Sequence, residues 1–272
     1  MDTPQVISTV QRKYILDLLK QGKRMDGRGF LDFREVRIDD DLIPKAEGSA
    51  SVHLGDSFII TGIKYDVGTP FPDSPDEGVA TCMAEFIPFA SPMFESGPPD
   101  VEAVEVARVV DRGIRHGDCI EYKKLCIKAG ELVYILFIDM YVMNHAGNLI
   151  DTGAISSMTA LLTTKLPTAK IEDGKAVWNG GYMLVPINQI PLSVTFGRIQ
   201  DYVFVDPVID EELVLDGRVS FAVNEKGQIC SMQKSGEITW TEEELIKYSK
   251  IAVEKVNELR NKLNLRQYVP KL

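Results

Sequence analysis

The chain has 272 residues, enough to bury a sizeable core as one large domain or two small ones. Hydrophobic residues make up 44% and charged residues 26%, a globular composition that excludes a disordered or fibrous protein. The formal net charge of -10 argues against binding nucleic acid through a general basic surface. Any RNA contact must therefore be local, or shared with a partner.

Apolar runs and cysteines indicate the compartment. No run approaches the roughly 20 apolar residues that cross a bilayer, and the first residues lack a signal-peptide pattern. The four cysteines form no CxxC pair, which is typical of free thiols rather than disulfides or zinc ligands. We expect a cytoplasmic protein with no membrane partner and no bound metal.

Helices and strands alternate through the first half. An amphipathic helix is predicted over residues 5–21, and helices 100–116 and 150–165 follow later. A loop rich in Pro, Gly and Asp is expected at residues 66–79. Alternating or buried apolar runs predict strands at residues 35–38, 50–54, 57–64, 82–89, 121–129 and 131–142.

The second half repeats the order of strands followed by a helix. The turn-rich stretch 166–182 predicts either a linker or a loop within one domain. A capping box at residues 241–244 starts a last helix of about 20 residues. Strands are predicted at residues 183–187, 193–196, 202–205, 218–223 and 228–233. This order is too irregular for a doubly wound parallel sheet and predicts an α+β fold, with mixed sheets covered by helices.

Three arginines form the first candidate site. Arg108, Arg112 and Arg115 fall at i, i+4 and i+7 on one stripe of the predicted helix 100–116. Their forked, permanently charged side chains suit phosphates, and Glu105 and Asp111 lie mostly off the stripe. The alternative is a solvated face paired with those two carboxylates, and the pattern alone leaves both interpretations open.

An acidic segment, residues 206–212 (DPVIDEE), is the second candidate. Carboxylates that follow an apolar strand can act as metal ligands or as a general acid, although such a cluster is more often a charged turn. The three histidines have no second ligand at metal-binding spacing, and hydrolase, zincin and nucleotide-binding motifs do not occur.

Several motifs in order carry a resemblance to a known family. Residues 23–28 (KRMDGR) with 34–35 (RE) are similar to the signature that opens RNase PH-type proteins, and residues 48–55 resemble the first hairpin of that family. Residues 67–78 (VGTPFPDSPDEG) resemble one branch, the non-catalytic RNase PH-like subunit of the archaeal exosome. The resemblance runs from about residue 8 to the final helix.

The resemblance implies a duplicated β-α-β-β-type fold, like domain 2 of ribosomal protein S5. We expect an N-terminal helix and Asp-Gly-Arg segment (1–30), a first RNase PH-like domain (31–182) and a second (183–272). The resemblance also implies a hexameric ring, in which three copies of this chain form heterodimers with the catalytic RNase PH-like subunit. That ring uses inorganic phosphate to degrade RNA from its 3′ end, runs backwards to add tails, and carries cap proteins with S1 and KH or zinc-ribbon domains.

Two catalytic segments of the family are altered here. Active members hold phosphate with a Gly-Ser/Thr-Arg segment, and the matching residues are Gly147, Asn148 and Leu149, so the arginine is lost. Active members also carry two aspartates six residues apart, and the matching pair is Asp206 and Glu212. The added methylene of Glu212 shifts its carboxylate by about an ångström, which can cost ~100-fold. The resemblance thus implies no catalysis by this chain alone, and phosphate and a candidate Mg²⁺ belong to the partner's site.

The arginines gain a role from the same resemblance. It places their helix near the ring channel, where Arg112 is the first candidate for RNA phosphate contact and Arg108 and Arg115 follow. Two alternatives stay open. One is a self-sufficient phosphorolytic exoribonuclease with a degenerate phosphate site, and the other is a structural spacer whose arginines bind nothing.

Overall fold

Alternating apolar residues of the first half build one sheet in the computed structural model, which describes residues 9–172 and 175–271. The strand order is β1-β2-β3-β6-β4, and β5 pairs with β6. The β4–β6 pair is parallel and the others are antiparallel, so β1 and β4 form opposite edges. The strands are β1 (Val36–Asp40), β2 (Gly48–Leu54), β3 (Ser57–Gly68), β4 (Val79–Phe86), β5 (Cys126–Lys128) and β6 (Leu132–Asn144).

A two-stranded hairpin and a second sheet follow. The hairpin pairs β7 (Lys165–Glu172) with β8 (Lys175–Leu184). The second sheet is antiparallel in the order β10-β9-β11-β12, and β12 is one of its edges. Its strands are β9 (Leu192–Ile199), β10 (Tyr202–Val205), β11 (Gly217–Val223) and β12 (Ile229–Gly236).

Five α-helices of the described residues cover and join the sheets. Helix α3 is buried along its whole length between the two sheets, where it contacts β2 and β3 on one side and β9 on the other. Small residues permit this approach: a Cβ at Gly48 on β2 would lie 2.6 Å from the carbonyl oxygen of Ala160 on α3. One hydrophobic core therefore spans both halves. The helices are α1 (Thr9–Lys20), α2 (Val101–His116), α3 (Leu149–Thr163), α4 (Ile209–Glu212) and α5 (Glu242–Leu263).

Local signals predicted the helix ends well. The capping box at Thr241 is present: the Thr241 hydroxyl accepts a hydrogen bond from the Glu244 backbone N–H, and the Glu244 carboxylate accepts one from the Thr241 backbone N–H. Helix α2 is capped by the side chain of Asp100, which accepts from the backbone N–H of Ala103. The predicted mixed α+β architecture is confirmed. The predicted start of the first helix at residue 5 lies outside the described residues.

Two strand predictions and one loop prediction are wrong. Residues 122–125 form a 3-10 helix, and only the three residues of β5 are strand. Strand β4 ends at Phe86 rather than residue 89, because Pro88 cannot donate to a ladder. The stretch predicted as a linker or loop, 166–182, is mostly the β7–β8 hairpin, whose Pro and Gly residues obscure the alternation.

The predicted division into domains at residues 182 and 183 falls within β8, and the division itself stays a prediction. Within the described part of the chain, no helix combines the length and the apolar character that crossing a membrane requires.

Candidate functional site

Folding brings together the five positions that the resemblance matches to catalytic residues of the family. Gly147, Asn148 and Leu149 form the turn from β6 into α3, while Asp206 follows β10 and Glu212 ends α4. The Asn148 side-chain amide donates to Asp206 Oδ1 at 2.8 Å, and the Asn148 backbone N–H donates to Glu212 Oε1 at 2.9 Å. A Cβ at Gly147 would lie 2.5 Å from the carbonyl oxygen of Pro207, so only glycine permits this approach.

Asp206 is a buried carboxylate enclosed by arginines. Arg34 donates to it from its backbone N–H (2.8 Å), from Nε (2.9 Å) and from Nη2 (2.7 Å). Arg28 adds a contact of 2.9 Å from Nη1. Burial by itself raises the pKa of Asp206, but the hydrogen bonds and charge of Arg34 outweigh it and hold the pKa below its usual value. Asp206 is therefore ionised and bound within the protein.

Arg24 fixes the same turn from the other side. It forms a fully buried ion pair of 2.6 Å with Glu211 and donates to the carbonyl oxygens of Val205 (2.8 Å) and Asp206 (2.9 Å). The three arginines of the KRMDGR…RE motif thus converge on the acidic segment 206–212. The sequence analysis used the motif only to assign a family and missed this role. The sequence did contain a signal for it, since the motif carries three arginines and the segment 206–212 carries four carboxylates.

A second buried carboxylate, Asp151, was also missed. It accepts hydrogen bonds from the backbone N–H and hydroxyl of Thr195, both at 2.9 Å, and from the Asn148 side-chain amide at 2.8 Å. Burial raises the pKa of Asp151 to about 6, against the lowering effect of these donors. The amide of Asn148 therefore bridges Asp151 and Asp206, and its backbone adopts the left-handed conformation at φ 54°.

Glu212 occupies the place where a helix N-terminus offers its N–H groups to an anion. Burial raises the pKa of Glu212 to about 7, although the nearby charge of Arg218 lowers it. Arg218 lies 3.9 Å from Glu212 Oε1 and pairs with Glu105 at 2.6 Å. Leu149 is 4% exposed, and the space it shares with Asn148 and Glu212 has no room for a phosphate ion.

The arginine row lies on α2, between the open edges of the two sheets. Arg112 points to β12 and donates to Gln233 Oε1 at 2.5 Å. Arg115 turns to β4, where it pairs with Asp111 and donates to the carbonyl oxygen of Ala80, both at 3.1 Å. Asp111, which the sequence analysis placed mostly off the stripe, thus neutralises Arg115, because the Asp-to-Arg spacing along the helix favours that pair.

Arg108 is the free cation of the three. It is exposed, and none of the carboxylates within residues 9–172 and 175–271 lies at ion-pair distance from it. With Arg115 it lines a cavity of about 310 Å³ between α2 and the edge strand β4. Asp111, Thr81 and mostly apolar side chains, among them Met83 and Val104, form the rest of the wall. This groove combines cationic forks with apolar surface, which suits a phosphate-bearing strand.

Two family models match the chain. The RNase PH model, described as domain 1 of the 3′ exoribonuclease family, matches residues 32–167. The model of domain 2 of the same family matches residues 189–255.

Relatives and solved structures agree with these models. The exosome complex component Rrp42 of Thermococcus kodakarensis is 44% identical over 97% of this chain and 97% of its own length. A chain of the Archaeoglobus fulgidus exosome with RNA bound to the active site superposes with a TM-score of 0.86 at 39% identity, covering 93% of this chain and 97% of that one. A chain of an archaeal exosome core superposes with a TM-score of 0.83 at 36% identity, covering 93% and 96%.

Proposed function

This chain belongs to the RNase PH (3′ exoribonuclease) family, and from that premise we propose that it is a non-catalytic subunit of an exosome ring. In that role it holds RNA and completes the active site of a catalytic RNase PH-like partner. The partner supplies the phosphorolytic chemistry with inorganic phosphate, and with Mg²⁺ as a candidate ion.

One contact carries the non-catalytic part of the proposal. The backbone N–H of Asn148 at the start of α3 donates to the chain's own Glu212 at 2.9 Å. A helix N-terminus of this kind otherwise binds an anion such as phosphate. Here the protein's carboxylate already takes that position, and Leu149 offers no hydrogen-bond donor beside it. Both carboxylate oxygens of Asp206 also accept hydrogen bonds within the protein, from Arg34 and Arg28.

The exposed surface around α2 supports the proposed contacts with the catalytic partner and with RNA. Large apolar side chains are exposed there: Val101 at 85%, Val104 at 47%, Met83 at 54% and Phe89 at 70%. Such a patch marks an interaction surface on an otherwise charged protein. We place the catalytic subunit on this face, in a ring of three heterodimers that carries S1 and KH or zinc-ribbon cap proteins. The cytoplasmic location belongs to the same proposal.

The test of catalysis uses the purified full-length chain. Incubated with 3′-labelled RNA and inorganic phosphate, it should release no nucleoside diphosphate alone. The same RNA should be degraded once the catalytic partner is added. Phosphate-dependent degradation by the lone chain would instead support the self-sufficient exoribonuclease.

The RNA contact is tested in the assembled complex with Arg108→Glu. We expect roughly tenfold weaker RNA binding and a salt dependence reduced by about one phosphate contact, because the variant loses a free cation and adds a repulsive charge. Arg37→Glu is the matched control, since Arg37 is exposed on the distant strand β1. Equal affinities for both variants would favour the structural spacer.

Arg112→Glu in the same complex shows which of Arg108 and Arg112 contributes more to RNA binding. The structure shows Arg112 bonded to Gln233, so we expect a smaller effect on RNA affinity than from Arg108→Glu. A larger effect would restore Arg112 as the first candidate of the row.

A further inference from the structure

Among the three arginines on α2, Arg112 is turned away from the groove that its neighbours line. Arg108 and Arg115 both line the cavity of about 310 Å³ between α2 and β4. Arg112 instead donates from Nη2 to the side-chain oxygen of Gln233 on β12, at 2.5 Å. Residues three and four apart share one face of a helix, so helical spacing does not explain the difference. The contact with β12 does.

Neighbouring groups set the orientation of the Gln233 amide. Its Nε2 donates to Glu105 Oε1 and to the carbonyl oxygen of Lys234, both at 3.4 Å. The other oxygen of Glu105 accepts a hydrogen bond of 2.6 Å from Arg218 Nη2, which fixes that carboxylate. Because a carboxylate and a carbonyl oxygen only accept hydrogen bonds, they attract the NH2 group of the amide. The oxygen of Gln233 is therefore directed to Arg112.

The contact with Gln233 satisfies little of the Arg112 guanidinium. Arg112 Nε is buried and has no hydrogen-bond partner in the described part of the chain. A buried donor without an acceptor is unfavourable. A guanidinium can donate to one phosphate through two N–H groups at once, and such a charged, bidentate contact is stronger than a bond to a neutral amide. The edge of Arg112 that carries Nε reaches a phosphate only after the side chain leaves its present position.

We propose that Gln233 is a positioning residue, which holds Arg112 on β12 until an RNA phosphate displaces it. With the contact broken, the long side chain is free to turn to the groove that Arg108 and Arg115 line. There it donates to the phosphate through two N–H groups. The inference rests on the proposed RNA contact of the arginine row, and it adds that RNA must break the bond to Gln233 before Arg112 contributes.

The effect on RNA binding is tested with Gln233→Met in the assembled complex, since methionine keeps the side-chain length and lacks the amide. Fluorescence anisotropy with a fluorescein-labelled single-stranded RNA should show about threefold tighter binding, because Arg112 no longer gives up a hydrogen bond. In the Arg112→Gln background the same change should alter affinity by less than about 1.5-fold. A merely structural role of Gln233 cannot produce this difference. An equal gain in both backgrounds, or no gain in either, would overturn the proposal.

The matched control for this substitution is Gln21→Met. Gln21 is exposed just after the end of α1, and its side chain donates to the carbonyl oxygen of Asp17. Like Gln233→Met, the variant removes an amide that makes one local contact. RNA affinity should stay within about 1.5-fold of the unsubstituted complex. A gain that matches the gain of Gln233→Met would mean that loss of any amide strengthens binding, and would contradict the role of Gln233.

A second measurement needs no RNA and therefore separates this inference from the proposed function. In the full-length chain with isotope-labelled arginine, NMR follows exchange of Arg112 Nε–H with water, and loss of the signal in Arg112→Gln identifies it. Gln233→Met should speed this exchange about fivefold or more, because the buried Nε–H becomes accessible. The Nε–H of Arg24, bonded to Glu211, should not change. Unchanged exchange at Arg112 would overturn the proposal.

The two measurements locate a failure. Faster exchange at Arg112 in Gln233→Met shows that Gln233 holds the side chain, whatever the arginine row binds. If RNA affinity then stays unchanged in both Arg108→Glu and Arg112→Glu, the proposed RNA contact is the part that is wrong. If those two variants weaken RNA binding but Arg112 exchange is unchanged in Gln233→Met, the RNA contact stands and the role of Gln233 is wrong.

Discussion

At the scale of single residues, Asp206 is held within the protein by hydrogen bonds to both of its carboxylate oxygens. In active relatives the corresponding aspartate was inferred to take part in catalysis, whereas here both of its oxygens accept hydrogen bonds from Arg34, Arg28 and Asn148. An ionised group with every acceptor site engaged is poorly placed to donate a proton. Asp206 instead joins the first residues of the chain to the second sheet.

Asp206→Asn should therefore reduce stability strongly. The variant leaves Arg34, which is 9% exposed, without its counterion, and removing one partner of a buried pair costs about 3–5 kcal/mol. Urea denaturation monitored by circular dichroism measures the loss. Asp201→Asn, at an exposed turn position, is the control and should change stability by less than about 0.5 kcal/mol. Similar losses for the two variants would contradict the role of Asp206.

At the scale of elements, the position of helix α2 explains why arginines on one stripe have different partners. The helix lies between the edge strands β4 and β12, so neighbouring positions on one stripe meet different sheets. Arg115 reaches Ala80 on β4, and Arg112 reaches Gln233 on β12. Helical spacing correctly placed the three residues on one stripe. Their partners depended on which strands flank it.

The last helix offers an element-scale prediction. Thr241→Ala removes the hydroxyl that accepts from the Glu244 backbone, and loss of such a cap costs about 1 kcal/mol. Helix α5 packs on β9 and β11, so the loss should appear in the global unfolding transition. Thermal denaturation should show a lower midpoint for Thr241→Ala than for Thr239→Ala, which alters an exposed threonine outside the cap. Equal midpoints would show that the capping box contributes nothing.

At the scale of the whole molecule, the buried carboxylates give stability a distinct pH dependence. Burial raises the pKa of Glu212 to about 7 and that of Asp151 to about 6. Because the folded chain binds these protons more tightly than the unfolded chain does, stability falls as the pH rises from about 4 to 7. Asp206 has a lowered pKa and acts in the opposite direction. Its contribution is present above about pH 4 and is lost as the pH falls through its folded pKa.

Glu212→Gln tests this profile. Because the variant cannot ionise, we expect the decline in the free energy of unfolding between pH 5 and 8 to shrink by on the order of 3 kcal/mol. Urea denaturation at the two pH values measures it, with Glu254→Gln as a control at an exposed position. A decline of unchanged size in Glu212→Gln would show that Glu212 does not titrate in this range.

Much of the fold and part of the site followed from the sequence. Periodicity predicted the helices α2, α3 and α5 and most strands, because side-chain spacing and caps act within a few residues. Motifs in order predicted the family. The resemblance matched residues 147–149, Asp206 and Glu212 to catalytic positions, and in the structure Asn148 donates hydrogen bonds to both carboxylates.

Only the tertiary structure decided what those positions do. The bond between Arg34 and Asp206 joins residues 172 apart in the chain, and the bond between Asn148 and Glu212 spans 64. Such contacts depend on how α3 packs between two sheets, which no local pattern specifies. The β7–β8 hairpin likewise became evident only in the structure, because its Pro and Gly residues predict turns rather than paired strands. Spacing along the chain thus determined the elements, and packing around α3 determined that the carboxylate of Glu212 accepts a hydrogen bond from the backbone N–H of Asn148 at the start of that helix.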